Sequence, residues 1–314
     1  MKVLFTGASS FTGSWFAQTL ASKGHEVIIT FTRAENSYQG LRAQRIERLK
    51  HSCDLIWNAA FGDERFLDLI AANRFDAVCV HGAYVQDYRS EEFPVGVALQ
   101  SNTNNLPQVL RSAKERGLTK LVLTGSVFEA EEGSGETPLR AFSPYGLSKT
   151  LTAQTFRFWC NRLTVPLAKF VIPNPFGPYE EQRFTHYLAA TWCKGGIAGV
   201  KTPDYVRDNI HVSLLALAYA DFAARRPSLE FEKLGPSGYV ESQGDFALRF
   251  AREMGPRLQL PCRVELSTQT DFSEPVTRIN TDHPNAAALG WNEAAAWDEL
   301  ASYYKGSLGS ALAK

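Results

Sequence analysis

The stretch "KVLFTGASSFTGSWFAQTLASKGHEVIITFTR", residues 2–33, sets three kinds of sequence in a telling order. "KVLF" (2–5) is a short apolar run without alternation, as expected of a strand buried on both faces. "FTGSWFAQTLASKG" (11–24) reads as a helix closed by Gly24, and "EVIITF" (26–31) as a second buried strand. Between the first strand and the helix lies "TGASSFTG". Gly7 and Gly13 flank this turn, and Ser10 stands where a dinucleotide fingerprint often has its middle glycine. Such a turn lets backbone N–H groups at a helix N-terminus approach a pyrophosphate, which makes Gly7, Ser9, Ser10, Phe11, Thr12 and Gly13 candidate cofactor contacts. Serine is tolerated at position 10 if its φ stays negative, and its hydroxyl can itself bond phosphate. A broken fingerprint also suits a plain strand-to-helix turn, so the surrounding pattern has to decide.

That pattern repeats along the first half of the chain. "FDAVCVHGA" (75–83) reads as a strand after the helical "DERFLDLIAANR". "VALQSNTNNLPQVLRSAKERG" (97–117) reads as one helix kinked by its proline, and "KLVLTGS" (120–126) as a strand. A helix from Tyr145 to about Leu163 and the strand "LAKFVI" (167–172) follow. Unalternating strands separated by helices predict an α/β fold, a Rossmann-like doubly wound parallel sheet. Helices are expected again at 211–226, 243–254 and 293–304. The expected organisation is a dinucleotide-binding domain of residues 1–175 and 207–234. A smaller, discontinuous substrate-binding domain would take 176–206 and 235–314, over the edge of the sheet where ligands bind in such folds.

The bulk numbers exclude several alternatives. Lysine plus arginine and aspartate plus glutamate both total 33, so no basic footprint for nucleic acid or an anionic membrane exists. The five cysteines are scattered, odd in number and without a CxxC, which suits reduced thiols in a cytoplasm and no metal site. No apolar run reaches membrane-spanning length. The second strand ends "IITFTR" without the carboxylate that usually binds a ribose 2′-hydroxyl, while Arg33 is at hand for a 2′-phosphate. NADP is therefore favoured over NAD by a modest margin.

In "FSPYGLSKT" (142–150), Tyr145 and Lys149 are four apart, hence on one face if helical. A phenol near pKa 10 needs a shift worth about 4 kcal/mol to ionise near neutrality, and a cation one turn away supplies part of it. Tyr145 could then give a proton to a carbonyl as hydride arrives, or take it in reverse. A third hydroxyl should bond the same oxygen, and "LTGS" offers Thr124 and Ser126. Both remain open.

Taken together, the glycine loop, "VHGA" (80–83), "LQSNTNN" (99–105), "SPYGLSK" (143–149), "IPNPFGP" (172–178), "RDNIHV" (207–212) and "LGWNEAAAWDELASYY" (289–304) resemble the extended short-chain dehydrogenase/reductase family. The likeness covers nearly the whole chain and is strongest to the group that acts on nucleotide sugars. It implies that His81, Gly82, Ala83, Asn102 and Pro173, with Tyr145 and Lys149, contact the cofactor. It also implies that Arg207, Asn174 and Arg278 meet the nucleotide phosphates, with Arg183 near the sugar. Ile172 replaces the usual arginine of its motif. Gly125 and Ser126 stand where the family's 4,6-dehydratases carry an acidic pair, which disfavours that elimination.

The expected function is thus an NAD(P)-dependent reductase of a 4-keto nucleotide sugar, with a 4-epimerase retaining NAD as the alternative. A catalytically silent cofactor-binding sensor or scaffold is the competitor of another class, against which the intact Tyr145–Lys149 pair argues. The resemblance further implies a homodimer through helices 97–116 and 146–163, with Phe156, Phe158 and Trp159 as apolar contacts.

Overall fold

The computed structural model describes residues 1–309. The chain forms two compact units, the first built from Met1–Glu132, Pro138–Ile172 and Ala216–Gly235. Its elements begin β1 (Lys2–Thr6), α1 (Phe11–Ser22), β2 (Glu26–Thr30), α2 (Gly40–Glu47), β3 (Asp54–Ile56), α3 (Glu64–Ala72) and β4 (Ala77–Val80). They continue with α4 (Val95–Asn102), α5 (Leu106–Glu115) and β5 (Lys120–Ser126). After a short strand β6 (Ser134–Gly135), which belongs to the second unit, come α6 (Pro144–Arg162) and β7 (Leu167–Ile172).

The second unit takes β8 (Asn174–Phe176), α7 (Phe184–Cys193), β9 (Ala198–Val200) and β10 (Val206–His211). Helix α8 (Val212–Ala224) leads back, and β11 (Phe231–Leu234) completes the first unit. The second then resumes with β12 (Tyr239–Ser242), α9 (Gln243–Leu258), β13 (Val264–Leu266), β14 (Thr277–Ile279) and α10 (Glu293–Leu308).

In the first unit the seven strands lie in the order β11-β7-β5-β4-β1-β2-β3, and every pair is parallel. The order reverses direction at β1, the switch point of a doubly wound sheet. One face carries an aliphatic core in which Leu4, Val78, Leu121 and Leu123 pack with Leu106, Leu110 and Phe156. The other face is aromatic, with Phe16 stacked on Tyr219 at 4.1 Å and Phe170 edge-on to both. Each such side chain, once fully buried, contributes about 1.5–3 kcal/mol relative to exposure.

In the second unit β10 is the hub. It pairs antiparallel with β12 and parallel with β14 and β8, and β14 pairs antiparallel with β6. Phe176, Trp192, Phe246, Phe250, Trp297 and Tyr304 form its core.

Three expectations need correction. The segment 97–117 is two helices rather than one kinked helix, because Asn105 sits at φ +48° and Pro107 opens α5. Residues 133–137, 173–175 and 207–215 fall in the second unit, since β6, β8 and the strand "VRDNIH" pair only with strands of that unit. Phe156 is a core residue with no exposed surface, so of the three aromatics only Phe158, 58% exposed, faces outward freely.

Candidate active site

The glycine loop follows β1 and starts α1. Gly7 has φ +82°, and a Cβ there would lie 2.5 Å from the Gly82 amide nitrogen, so the strand ends β1 and β4 can approach only through glycine. Ser10 caps α1 at φ −78°, its Oγ accepting the Gly13 N–H and donating to the Gly7 carbonyl at 2.8 Å. Ser10 N–H bonds the Gly7 carbonyl and Gly13 N–H bonds Ser10 Oγ, leaving the Phe11 and Thr12 amides of the first turn without an intrahelical acceptor. Two such amides at a helix N-terminus fit a dinucleotide pyrophosphate.

His81, at the end of β4, ties this loop to β5. Its Nε2 lies 3.0 Å from Ser10 Oγ and 3.2 Å from Thr12 Oγ1, and its Nδ1 lies 3.0 Å from Thr124 Oγ1. The ring packs against Phe5 and Phe16. Burial, aided by the Lys149 charge, holds its pKa down at about 3, so the imidazole is neutral. The hydrogen bonds assign its tautomer. Ser10 spends its proton on Gly7 and can only accept from Nε2–H, which leaves Nδ1 to accept from the Thr124 hydroxyl.

Helix α6 begins at the Ser143 cap, whose side chain accepts the Gly146 N–H at 3.0 Å, with Pro144 in the first turn. This start places Tyr145 and Lys149 on one face. Lys149 is buried, and its Nζ donates to the Thr124 carbonyl at 2.7 Å. Burial lowers its pKa from the usual lysine value. An ammonium has three donors, so two remain for ribose hydroxyls. Tyr145 is half-buried, with the rings of Tyr88 and Phe93 edge-on at 5.6 and 5.9 Å. Ser126 Oγ accepts the Phe128 N–H at 3.2 Å.

Asn102 is a brace. Its Oδ1 accepts the Tyr84 N–H at 2.8 Å and its Nδ2 donates to Thr152 Oγ1 at 3.2 Å, so it braces the loop after β4 against α6. Gly82 and Ala83 begin that loop, half-buried. Arg33 is exposed past the end of β2, over the Tyr38 ring at 5.2 Å.

Within the second unit, Arg207 donates from Nη1 to the carbonyls of Val206, Pro275 and Val276 and from Nη2 to Glu274, each at 3.0 Å. Its register partner Arg278 is 1% exposed. Asn174 opposes Asn209 across β8 and β10, with Pro173 buried just before it. Arg183 is half-buried at the start of α7.

Two groups escaped the sequence reading. One is the His81 link between loop and strand, since the resemblance offers His81 only as a cofactor contact and spacing does not reveal its bonds to Ser10, Thr12 and Thr124. The other is a buried ion cluster around Lys169, whose signal was a lysine inside the otherwise apolar "LAKFVI".

A parallel sheet with a phosphate-ready helix start, and a tyrosine and a lysine one turn apart at the end of a central strand, define a dinucleotide-dependent enzyme of the oxidoreductase and epimerase kind. Residues 3–227 match the NAD dependent epimerase/dehydratase family, and the chain belongs to that family. A UDP-glucose 4-epimerase of Mycolicibacterium smegmatis is 24% identical over 212 residues, 64% of this chain and 65% of the relative's length. A UDP-glucose 4-epimerase from Thermotoga maritima, solved with UDP-glucose, superposes with TM-score 0.73 at 16% identity, over 98% of this chain and all of the other. One from Thermus thermophilus in complex with NAD gives 0.71 at 19% identity, over 98% and 100%. DesIV of Streptomyces venezuelae, a dTDP-glucose 4,6-dehydratase solved with NAD, gives 0.71 at 18%, over 99% and 98%. These structural likenesses establish the fold.

Among the described residues, no helix is long and apolar enough to cross a membrane, and no group of three His, Cys, Asp or Glu could hold a metal ion.

Proposed function

We propose that this protein reduces the 4-keto group of a nucleotide sugar, with Tyr145 as proton donor and NADPH as the preferred cofactor. The observation that carries the reading is the start of α6, where Lys149 reaches the end of β5 at 2.7 Å with Tyr145 one turn before it. A bound nicotinamide supplies the hydride; the chain supplies position and the proton. Gly7 and the Phe11 and Thr12 amides would take the pyrophosphate, with Ser10 holding the loop through its bonds to Gly7, Gly13 and His81, and Lys149 would take the ribose. Lys149 also stabilises the phenolate that Tyr145 becomes after proton transfer.

The second hydroxyl at the substrate oxygen is better supplied by Ser126 than by Thr124. Thr124 gives its proton to His81, whereas Ser126 accepts from Phe128 and keeps its own proton to donate. The case for NADP is the exposed Arg33 after a strand with no terminal carboxylate. Arg33→Ala should erase most of a preference for NADPH, and a wild-type protein that binds NADH better would refute the preference.

The epimerase names of the relatives favour a second reading, a 4-epimerase that keeps its NAD and returns hydride to the opposite face. Extraction of the purified protein separates the two. Tightly retained NAD indicates the epimerase. A preparation that oxidises added NADPH only when given a 4-keto nucleotide sugar indicates the reductase.

A further inference from the structure

Charged side chains lie buried together in the first unit, outside the groups used above. Glu129 has no exposed surface, and Glu132 and Lys169 are each 6% exposed. Lys169 Nζ bonds Glu129 Oε2 and, at 2.7 Å, Glu132 Oε1; Lys233 on β11 reaches Glu132 Oε2 at 3.1 Å. Burial works against the Lys169 charge, but the two carboxylates outweigh it and raise its pKa.

The cluster is built into the strand end that carries the candidate hydroxyls. Glu129 Oε1 accepts the Ser126 N–H at 2.8 Å. A Cβ on Gly125 would lie 2.6 Å from Lys169 Cε and 3.0 Å from Glu129 Oε1, so glycine is what lets the lysine stem pass. Lys149 bonds the carbonyl of Thr124, the residue before that glycine. The titratable groups around Lys149 are Glu129 on the turn after β5, Lys169 on β7, neutral His81 at the end of β4, and Tyr145 on its own helix. After burial, Glu129 and Lys169 act on its charge in opposite senses, the first favouring it and the second opposing it.

We infer that Glu129 is a positioning residue for the cofactor lysine: paired with Lys169 and accepting the Ser126 N–H, it fixes the strand end whose Thr124 carbonyl holds Lys149. The inference rests on the reading that Lys149 holds the cofactor ribose. Removal of the carboxylate leaves Lys169 less compensated beside Lys149, which then loses its proton more easily. Removal of Lys169 has the opposite effect. A purely structural pair would lower stability in both variants without moving the titration of Lys149.

The test is the dissociation constant of NADPH or NADH, read by nicotinamide fluorescence across the alkaline range with the full-length protein. Wild-type affinity should fall as Lys149 loses its proton. Glu129→Gln should move that fall to lower pH by roughly one unit, and Lys169→Met should move it to higher pH by a similar amount. The double variant should return toward wild type. A fall that depends on Lys149 but shifts in neither single variant, or in the same sense in both, overturns the inference alone. A curve that Lys149→Ala leaves unchanged overturns the reading of Lys149 and the inference with it. Lys169→Met leaves two buried carboxylates facing each other. If it does not fold, Glu129→Gln decides by itself, and an unshifted fall refutes the role.

Discussion

Thr124 and Ser126 are two positions apart on one strand, yet their hydroxyls are committed differently. Thr124 is drawn into the His81 link, while Ser126 retains a proton to give. Ser126→Ala should therefore cut turnover by roughly 10²-fold, in the range of a lost acid–base contact, with cofactor affinity little changed. Thr124→Val should act mainly on cofactor affinity, because it removes the hydroxyl that holds His81 toward Ser10 and Thr12. Steady-state kinetics beside fluorescence titration distinguishes the two, and equal losses of turnover would refute the assignment. Which hydroxyl keeps a proton to donate was not legible in "LTGS", because spacing gives the residues and not where their protons point. Tyr145 and Lys149 were legible, since a four-residue interval on a helix fixes a shared face whatever the surroundings.

At the scale of elements, the loop between β8 and α7 carries another buried carboxyl. Glu180 Oε1 accepts from Thr185 Oγ1 and the Tyr304 hydroxyl, both at 2.6 Å, and Oε2 has no partner. Burial raises its pKa to about 7, only partly offset by those hydroxyls, the Gly177 backbone and Arg183. The folded state thus binds a proton that the unfolded chain releases at the ordinary carboxylate pKa. Its stabilising effect is full below that value and is lost as pH rises to about 7, a change of roughly 3 kcal/mol. Glu180→Gln should flatten the dependence of thermal stability on pH across that window, and an unchanged slope would show that Glu180 does not titrate there. Strands β1, β2, β4, β5 and β7 of the doubly wound sheet were readable because buried parallel strands are uninterrupted apolar runs, whereas the short β3 and β11 at its edges were not. The short strands β8, β9 and β12 to β14 were not either, since three- and four-residue pieces such as "NPF" and "AGV" have no period to detect. The break at Asn105 was missed for a similar reason, as a left-handed residue before a proline leaves little trace in apolar spacing.

For the whole molecule, α4 and α6 leave Val97, Leu147 and Phe158 exposed at 53%, 45% and 58%. We expect these helices to pair with their copies, so that sedimentation finds a dimer at micromolar concentration and Phe158→Glu shifts it toward monomer. A wild-type monomer would remove that expectation. The proposed reduction turns on one phenol. Tyr145→Phe deletes a single oxygen and keeps the ring against Tyr88 and Phe93. The decisive measurement is NADPH oxidation with a 4-keto nucleotide sugar, beside cofactor affinity, for wild type and Tyr145→Phe. The account predicts unchanged fold and cofactor affinity with turnover lower by roughly 10²–10⁴-fold. Turnover within a few-fold of wild type would contradict it.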